Sequence, residues 1–545
     1  MKRILAIASL LVAAWQPAVA QKAATRPNII LIMADDLGYS DIGAYGSEIE
    51  TPNLDRLAKE GLRLREFYNN SICAPTRASL LTGQYQHKAG VGFFNVNLGL
   101  PAYQGYLNNQ SLTVAEVLKG AGYSTLMSGK WHVGDDSLYW PNQRGFDRFY
   151  GFIGGASNYY DIGKYPEKAA PVVLVKDNKK LNLEAGKYLT DEITSNAIGF
   201  LDDQAKTNKP FFLYLAYNAP HWPLQAPEET IKKYEGRYDI GWDSLRARRY
   251  ARQQALGLIP AGQTISPRDS LVPEWDNLSY EDKQVWKRKM EVYAAMVDQM
   301  DQGIGKVLEK LKALKKDENT LVLFISDNGA QGGYTASGRR KPQRNSGPLG
   351  TAGSYGYQEQ SWAYLSNTPL NNYKNNMHEG GISAPFIAWY PKAIQGGGIA
   401  KGTAHLIDLA PTFYELAGAT YPKQYNGVTP HTLAGKSLVP VLLGKEPEVA
   451  RGEPLFWERA GNRAVRKGKW KIVSTYPAYK WELYDLDTDR GETRDLAARY
   501  PDVVNELSAD YFRWAEKTGV VDYEKIKPKG GFAIPGADRV VAANQ

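Results

Sequence analysis

The chain has 545 residues, and its hydrophobic share of 43% and charged share of 23% are typical of a soluble globular protein and exclude a largely disordered one. This length predicts one large domain accompanied by a smaller unit. A net charge of +8 spread over so long a chain does not indicate a nucleic-acid partner.

The N-terminus has the pattern of a secretory signal peptide. Lys2 and Arg3 are basic, residues 4–14 are apolar, and Ala18-Val19-Ala20 provides a small-residue cleavage site. The apolar stretch is too short for a membrane span, and no later segment approaches the roughly 20 apolar residues that a membrane helix needs. We expect residues 1–20 to be a cleaved signal peptide and the bacterial protein to be periplasmic or secreted, with no membrane partner.

Four apolar runs of β-type residues end abruptly in polar side chains. The runs are residues 28–33, 124–127, 211–217 and 321–325, and the polar residues after them are Asp35-Asp36, Lys130-Trp131-His132, Asn218 to His221 and Asp327-Asn328. Helical patterns lie between them at residues 51–62, 113–119, 190–204 and 285–315. This alternation predicts an α/β fold with a mostly parallel sheet covered by helices on both faces. Ligands bind beyond the carboxyl ends of such strands, so the four polar groups should converge on one cleft.

The hydrophobic pattern changes twice in the second half of the chain, near residue 329 and near residue 452. Residues 329–376 form a long aperiodic stretch that we expect to shape the substrate rim, followed by a buried strand at 386–389 and a helix at 404–416. Beyond residue 452, alternation predicts a hairpin with strands at 464–466 and 470–473, a strand at 481–486 and a helix at 501–516. We therefore predict a catalytic domain over residues 21–451 and a C-terminal subdomain, an antiparallel sheet with a helix, over 452–545.

Two basic runs stand out. Arg246-Ala247-Arg248-Arg249 is expected on the solvated surface, and so is Arg339-Arg340-Lys341, although the second run is also a candidate outer subsite for an anionic polymer.

Cys73 is the only cysteine, so the chain cannot close an internal disulfide. Composition leaves three interpretations, an inert buried thiol, a reactive thiol or the precursor of a modified residue, and favours the first. Pro75 and Gly83 predict a helix that begins at Cys73, where backbone N–H groups favour negative charge.

Asp35, Asp36, Asp327 and Asn328 offer oxygen ligands, which suit calcium better than zinc. A turn or helix cap is the alternative for the first pair, and a hairpin turn for the second. The run before Asp327 does not alternate, however, and a long loop follows it, which argues against a hairpin.

The segment Cys73-Ala74-Pro75-Thr76-Arg77, followed by Leu81-Thr82-Gly83, resembles the signature of the type I sulfatases, in which the cysteine is converted to formylglycine. The resemblance covers nearly the whole mature chain, up to residues 481–486, which are similar to the C-terminal domain of bacterial arylsulfatases. It implies an alkaline phosphatase-like fold. It also implies one calcium ion bound by Asp35, Asp36, Asp327 and Asn328, with an oxygen of the modified Cys73 completing the site.

A sulfate ester requires cationic groups and a proton donor for the departing oxygen. The candidates are Arg77, Lys130, His132, His221 and Lys374. The resemblance implies that calcium and Arg77 favour ionisation of a hydroxyl of the hydrated aldehyde, and that Lys130 anchors it. It further implies that His221, assisted by Lys374, protonates the departing alcohol and that His132 takes the proton of the second hydroxyl.

The predicted function is hydrolysis of sulfate monoesters, on a sulfated carbohydrate or else on an aryl sulfate, with a formylglycine-generating enzyme as the partner during biosynthesis. One alternative is a phosphodiester or phosphonate ester hydrolase of the same superfamily, but those relatives tend to carry histidine where this chain has Asn328. The other is an inactive protein that binds sulfated glycans, but none of the expected catalytic groups is missing.

Overall fold

The computed structural model describes residues 26–163, 172–332 and 346–527. The predicted signal peptide and the run Arg339-Arg340-Lys341 lie outside the described residues. No helix within these ranges combines the length and the apolar character that crossing a bilayer requires.

The described chain alternates strands and helices. The strands are β1 (Asn28–Ala34), β2 (Leu62–Tyr68), β3 (Ser124–Gly129), β4 (Arg148–Phe152), β5 (Leu174–Lys176), β6 (Lys179–Leu181), β7 (Phe211–Ala216), β8 (Thr320–Ser326), β9 (Ser383–Ala384), β10 (Phe386–Trp389), β11 (Gly398–His405), β12 (Leu455–Arg459), β13 (Asn462–Lys467), β14 (Trp470–Ser474) and β15 (Trp481–Asp485). The helices are α1 (Pro52–Glu60), α2 (Cys73–Thr82), α3 (Val114–Gly120), α4 (Leu189–Ala205), α5 (Glu228–Lys232), α6 (Gly241–Ala255), α7 (Tyr280–Ala313), α8 (Glu359–Ser366), α9 (Glu379–Ile382), α10 (Leu409–Ala417), α11 (Val439–Leu442), α12 (Pro501–Thr518) and α13 (Tyr523–Ile526).

The large sheet has the order β11-β2-β10-β8-β1-β7-β3-β4-β5-β6, with β9 paired to β2. Its centre, β8-β1-β7-β3, is parallel throughout. Every residue of β1, β7 and β8 is buried, as expected for parallel strands covered on both faces. The predicted mostly parallel sheet is confirmed, and its carboxyl-terminal edge brings together the four polar segments.

Apolar cores lie on both faces of this sheet. Leu31 and Met33 of β1 belong to the core that includes Ala78 of α2, whereas Ile32 belongs to the core that includes Met296 of α7. The alternation follows from strand geometry, because successive side chains point to opposite faces. Helices therefore cover the sheet on both sides, as predicted.

The predicted helix at residues 404–416 is wrong at its start. Ala404 and His405 close strand β11, and α10 begins at Leu409. Between them His405 caps a short turn, because its Nδ1 accepts from Ile407 N while Asp408 Oδ2 accepts from His405 N at 2.8 Å. These reciprocal bonds end the strand and start the helix.

The prediction that the run Arg246 to Arg249 is solvated is also wrong. Residues three apart share a helix face, so α6 turns Arg246 and Arg249 inward while Arg248 remains exposed. Arg249 pairs with Glu48 at 2.7 Å, and the Arg246 guanidinium lies 3.8 Å from the Tyr364 ring centroid. The buried charges are thus compensated inside the fold.

The smaller unit is a four-stranded antiparallel sheet, β12-β13-β14-β15, accompanied by α12. Trp514 of α12 stacks on Phe456 of β12 at 5.1 Å and meets Tyr85 of the large unit edge-on at 5.1 Å. The small sheet therefore shares one apolar core with the large one. The predicted C-terminal sheet and helix are confirmed, although β12 was not predicted.

A buried ion cluster also joins the two units. Lys471 of β14 lies 2.9 Å from Glu379 and 2.9 Å from Glu492, and Arg490 lies 3.0 Å from Glu379. Burial opposes ionisation of Glu379, but Lys471 and Arg490 outweigh it and hold its pKa at about 2. Glu379 opens α9, five residues after Lys374, so the cluster fixes the chain next to a predicted site residue.

Candidate active site

The polar segments are held at the sheet edge by backbone bonds that continue past the strands. Asp327 N donates to Ala34 O at 3.1 Å, Asp35 N to Ala219 O at 3.0 Å, and Lys130 N to Ala216 O at 2.8 Å. Neighbouring parallel strands therefore deliver their following residues to one place.

Asp35 and Asp327 form one half of the site together with two cationic side chains. Lys130 Nζ lies 2.6 Å from Asp35 Oδ2, and Arg77 Nη2 lies 3.0 Å from Asp327 Oδ2 and 3.8 Å from Asp35 Oδ1. All four side chains are buried. Ion pairs so poorly hydrated are tolerated only when each charge has close partners, which is the arrangement found here.

Asp36 organises the other half. Its Oδ1 lies 2.6 Å from Lys374 Nζ and accepts a hydrogen bond from Asn328 Nδ2 at 2.6 Å, and its Oδ2 lies 3.5 Å from His221 Nε2. Asp36 N donates to Asp327 Oδ1 at 3.1 Å, which links the two halves. Residues from six separate parts of the chain thus meet in one buried cluster.

Helix α2 carries Cys73 and Arg77 into this cluster. Cys73 is its first residue, and Thr76 Oγ1 donates to Asp327 O at 2.7 Å. Burial raises the pKa of the Cys73 thiol even though Lys130 and Lys374 act to lower it. Burial therefore disfavours the thiolate, which argues against a reactive thiolate and is compatible with a precursor residue.

The chain that carries Lys374 is tied to the start of α2. Lys374 N donates to Ala330 O at 3.1 Å, and Asn375 N donates to Ser71 O at 2.8 Å. Two short backbone bonds therefore fix the Lys374 backbone relative to both the β8 edge and the Cys73 helix.

His132 lies beside these groups with both ring nitrogens buried and without a hydrogen-bond partner among the described residues. Phe94 packs edge-on against the ring at 4.9 Å. Burial lowers the pKa of His132 well below its usual range, and Lys130 and Arg77 lower it further. These effects favour the neutral ring.

The His221 ring is oriented by its own backbone neighbour. Its Nδ1 lies 2.7 Å from Trp222 O, and because a carbonyl can only accept, Nδ1 carries the proton and Nε2 faces Asp36. Burial lowers the pKa of His221 to about 3, although the Asp36 carboxylate opposes this shift.

Two of these residues have strained backbones. Asp36 has φ of 64° and His132 has φ of 62°, in the left-handed region that side chains other than glycine seldom adopt. Such a conformation costs on the order of 1–3 kcal/mol and persists where the surroundings enforce it. Both residues belong to the polar cluster, which marks it as a functional site.

The donor set fits a hard divalent cation. Asp35 Oδ1, Asp36 Oδ2 and Asn328 Oδ1 are buried oxygens that no hydrogen bond from the described part of the chain satisfies. Both oxygens of Asp327 already accept bonds, but each carboxylate oxygen has a second lone pair. Ligand atoms of Asp35, Asp36 and His221 also lie within 4.8 Å of one another, so His221 borders the group.

The sequence did not point to Tyr159. Its fully buried hydroxyl lies 2.8 Å from Asn218 O and 2.8 Å from His221 O, and its one proton is shared between these two carbonyls. It therefore pins the turn that presents His221. No motif surrounds Tyr159, so only the folded chain reveals this contact.

A family model described as Sulfatase matches residues 27–419. The chain belongs to the sulfatase family. A second model, described as N-sulphoglucosamine sulphohydrolase, C-terminal, matches residues 372–514 of this sulfatase. The predicted enzyme class, sulfuric ester hydrolase, is confirmed, as is the alkaline phosphatase-like fold.

Relatives match the sulfatase over most of its length. An uncharacterized sulfatase of Schizosaccharomyces pombe is 38% identical over 92% of this chain and 95% of its own, and an arylsulfatase of Klebsiella aerogenes is 36% identical over 81% and 95%. Among solved structures, Ps i-CgsB in complex with k-i-k-neocarrahexaose is 29% identical, with a TM-score of 0.67 over 90% of this chain and 93% of that one.

Proposed function

We propose that this sulfatase is an exported enzyme that removes sulfate from a sulfated carbohydrate, or else from an aryl sulfate, with formylglycine at position 73 and one calcium ion. The observation that carries the proposal is the buried meeting of Arg77, Lys130 and Lys374 around the Cys73 end of α2. Three cations and a helix N-terminus in one buried place favour an anionic ligand.

The charges in the site support this assignment. The three cationic side chains face three carboxylates, those of Asp35, Asp36 and Asp327, so the cluster is balanced when all six are ionised. A divalent cation would leave an excess of two positive charges. A sulfate monoester carries one negative charge, so it would enter a site with a net attraction for it.

Asp35, Asp36, Asp327 and Asn328 would hold the cation, and calcium suits carboxylate and amide oxygens. When bound, it would supply Lewis-acid polarisation of oxygen atoms in the site. Lys130 and Arg77 orient the carboxylates of Asp35 and Asp327 through their ion pairs.

Conversion of Cys73 fits its surroundings, because burial raises the pKa of the thiol and so disfavours the thiolate that would otherwise be the nucleophile. A hydrated formylglycine at this position would supply one hydroxyl as nucleophile and a second through which sulfate is released. The N-terminal end of α2 and the Arg77 guanidinium stabilise negative charge on an oxygen there.

His221 is placed to handle the proton of the departing alcohol. Its Nε2 is the atom open to the site, since Nδ1 is committed to Trp222 O. With a pKa of about 3 the substrate-free ring is neutral, and the negative charge of a bound sulfate ester favours its protonation. Lys374 assists His221 through the carboxylate of Asp36. Its Nζ pairs with Oδ1 of Asp36, whereas Oδ2 of the same carboxylate faces His221.

His132 serves as a proton acceptor. Both nitrogens lack a bond to the described residues, and the low pKa keeps the ring neutral. A neutral imidazole that is free to accept can take a proton from a hydroxyl at position 73.

The relatives support the substrate class. Ps i-CgsB is described in complex with a neocarrahexaose, and the Klebsiella aerogenes relative is named an arylsulfatase. The name of the second relative indicates a sulfate ester, and the saccharide bound to the first leads us to propose a carbohydrate as the alcohol half.

The proposal is tested by producing the full chain together with a formylglycine-generating enzyme. Mass spectrometry of the peptide containing Cys73 should find the aldehyde, and 4-nitrophenyl sulfate should be hydrolysed far better than 4-nitrophenyl phosphate. A panel of sulfated saccharides then identifies the preferred alcohol. Equal turnover by Cys73→Ala, or preference for the phosphate ester, contradicts the proposal.

N-terminal sequencing of protein from the native host should begin at Gln21 if the signal peptide is cleaved.

A further inference from the structure

Asn218 lies in the turn between β7 and His221. Tyr217 N donates to Met33 O at 2.9 Å, so the chain stays extended after β7 ends, and Asp35 N bonds to the carbonyl of Ala219, the residue after Asn218. His221 N donates to Asn218 O at 3.0 Å. The backbone at Asn218 and Ala219 is therefore hydrogen-bonded to both His221 and Asp35, which places Asn218 between these two site residues.

The Asn218 side chain falls on the face of the sheet that α2 covers. Tyr214 and Ala216 share a core with α2, and Arg77 Nη1 donates to the Tyr214 hydroxyl at 3.3 Å. Tyr217 packs in the opposite core. Since an extended chain alternates sides, Asn218 returns to the face of Arg77 and Cys73.

Both polar atoms of this carboxamide, Nδ2 and Oδ1, are buried without a hydrogen-bond partner in the described part of the chain, and Asn218 is only 2% exposed. Burying an unsatisfied amide is unfavourable, and most buried polar groups are bonded. A buried asparagine side chain that makes no hydrogen bond to the described residues is explained by a ligand that binds beside it.

We infer that Asn218 is a substrate-binding residue, a role that rests on the proposed sulfatase function. Its Nδ2 donates to an oxygen of the sulfuryl group, and its Oδ1 accepts from a hydroxyl group of the alcohol half of the substrate. A sulfated saccharide offers both partners, because the sulfuryl oxygens only accept whereas a free sugar hydroxyl can donate.

The metal ion is a poorer partner for Asn218. A cation could bind Oδ1 of Asn218 but would leave Nδ2 without an acceptor. The cation also has three other buried oxygens available as ligands, on Asp35, Asp36 and Asn328. A single ligand that both accepts and donates explains the two atoms together.

The test compares Asn218→Ala and Asn218→Asp with the wild type in kcat/KM, on 4-nitrophenyl sulfate and on the sulfated saccharide that the wild type hydrolyses fastest. Loss of a hydrogen bond to a charged group should lower kcat/KM of Asn218→Ala about 10-fold on the aryl ester, and about 100-fold on the saccharide, where two bonds are lost. Asn218→Asp keeps the shape but repels the sulfuryl group, so it should lose more than Asn218→Ala on the aryl ester.

Thermal stability separates this role from a structural one. Asn462 is the matched control, because it is also buried but both of its polar atoms are bonded, Nδ2 to Arg459 O and Oδ1 to Tyr476 N. Asn462→Ala should lower the Tm and leave kcat/KM unchanged, whereas Asn218→Ala should keep or raise the Tm while activity falls.

Each outcome is decisive. Full activity of Asn218→Ala in an active wild-type background, or a Tm loss equal to that of Asn462→Ala, overturns the inference. Equal losses on the two substrates overturn the hydroxyl contact alone. A properly modified wild type that hydrolyses no sulfate ester instead refutes the proposed function.

Discussion

Lys471 Nζ lies 2.9 Å from Oε1 of Glu379, and both side chains are fully buried where the small sheet meets the large unit. Lys471→Met removes the charge that Glu379 and Glu492 share, leaving both carboxylates poorly compensated. We expect a loss of about 3–5 kcal/mol in unfolding free energy. Urea denaturation followed by tryptophan fluorescence measures it.

Lys469→Met is the matched control for that variant. Lys469 pairs with Asp485 at 2.8 Å, but its side chain is 45% exposed, and exposed ion pairs contribute little. The midpoint of Lys469→Met should stay close to that of the wild type. If both variants shift the midpoint equally, the buried cluster is not what joins the two units.

Tyr159→Phe tests whether the turn that presents His221 needs its anchor. The change removes the bonds to Asn218 O and His221 O, so we expect a loss of about 1–3 kcal/mol in stability and a fall in kcat of about 10-fold. Tyr188→Phe is the control, because Tyr188 stacks on Tyr159 at 5.3 Å but donates to Gln225 O. Comparable kcat values for the two variants would refute the anchoring role.

The sequence predicted the elements with simple patterns. The four central strands and α1, α3, α4 and α7 were found with ends shifted by a few residues, because uninterrupted apolar runs and helical periodicity do not depend on distant partners. Strand β2 was missed. It contains Arg63, Arg65 and Glu66, which break the apolar pattern, and Glu66 is neutralised by Arg466, 400 positions away in the sequence. No local pattern contains such a partner.

The candidate site shows the same contrast between residues that local sequence patterns reveal and residues whose contacts appear only in the folded chain. Asp35, Lys130 and Asp327 stand directly after recognisable strands, and His221 follows β7 within five residues, so the rule for parallel sheets was enough to bring them together. Tyr159 was missed, because it acts through a hydroxyl bonded to carbonyls far along the chain. Asn218 was placed in a converging polar segment but given no role, because it is conspicuous only through its lack of a partner among the described residues. Neither property is visible in a sequence.

His221→Asn should affect substrates according to their leaving groups. If His221 protonates the departing oxygen, kcat on a sulfated saccharide should fall about 100- to 10,000-fold. The fall on 4-nitrophenyl sulfate should be much smaller, because nitrophenolate leaves without a proton. His132→Asn, which acts on the other proton, should lower both rates by the same factor. A uniform effect of His221→Asn would assign it a different role.

Calcium should stabilise the protein measurably. Dialysis against a chelator should abolish activity and lower the Tm, and calcium should restore both, since a ligand at 100 times its Kd stabilises by about 2.7 kcal/mol. Asn328→Ala, which removes one of the unsatisfied oxygens, should need more calcium for the same Tm shift, whereas Asn462→Ala should not. A Tm that is indifferent to calcium in the wild type would argue against the metal site.

The burial of Cys73 has a consequence for the timing of biosynthesis. Every residue of α2 is inaccessible in the folded protein, and the covering chain includes Asp327 and Lys374, which leave the ribosome some 250 to 300 residues after Cys73. If Cys73 is converted to formylglycine as we propose, the converting enzyme must reach the thiol while the nascent chain is still open, before β8 pairs with β1. A chain that folds earlier would keep its thiol buried, so under this proposal the speed of folding and the supply of the converting enzyme together set the fraction of active molecules.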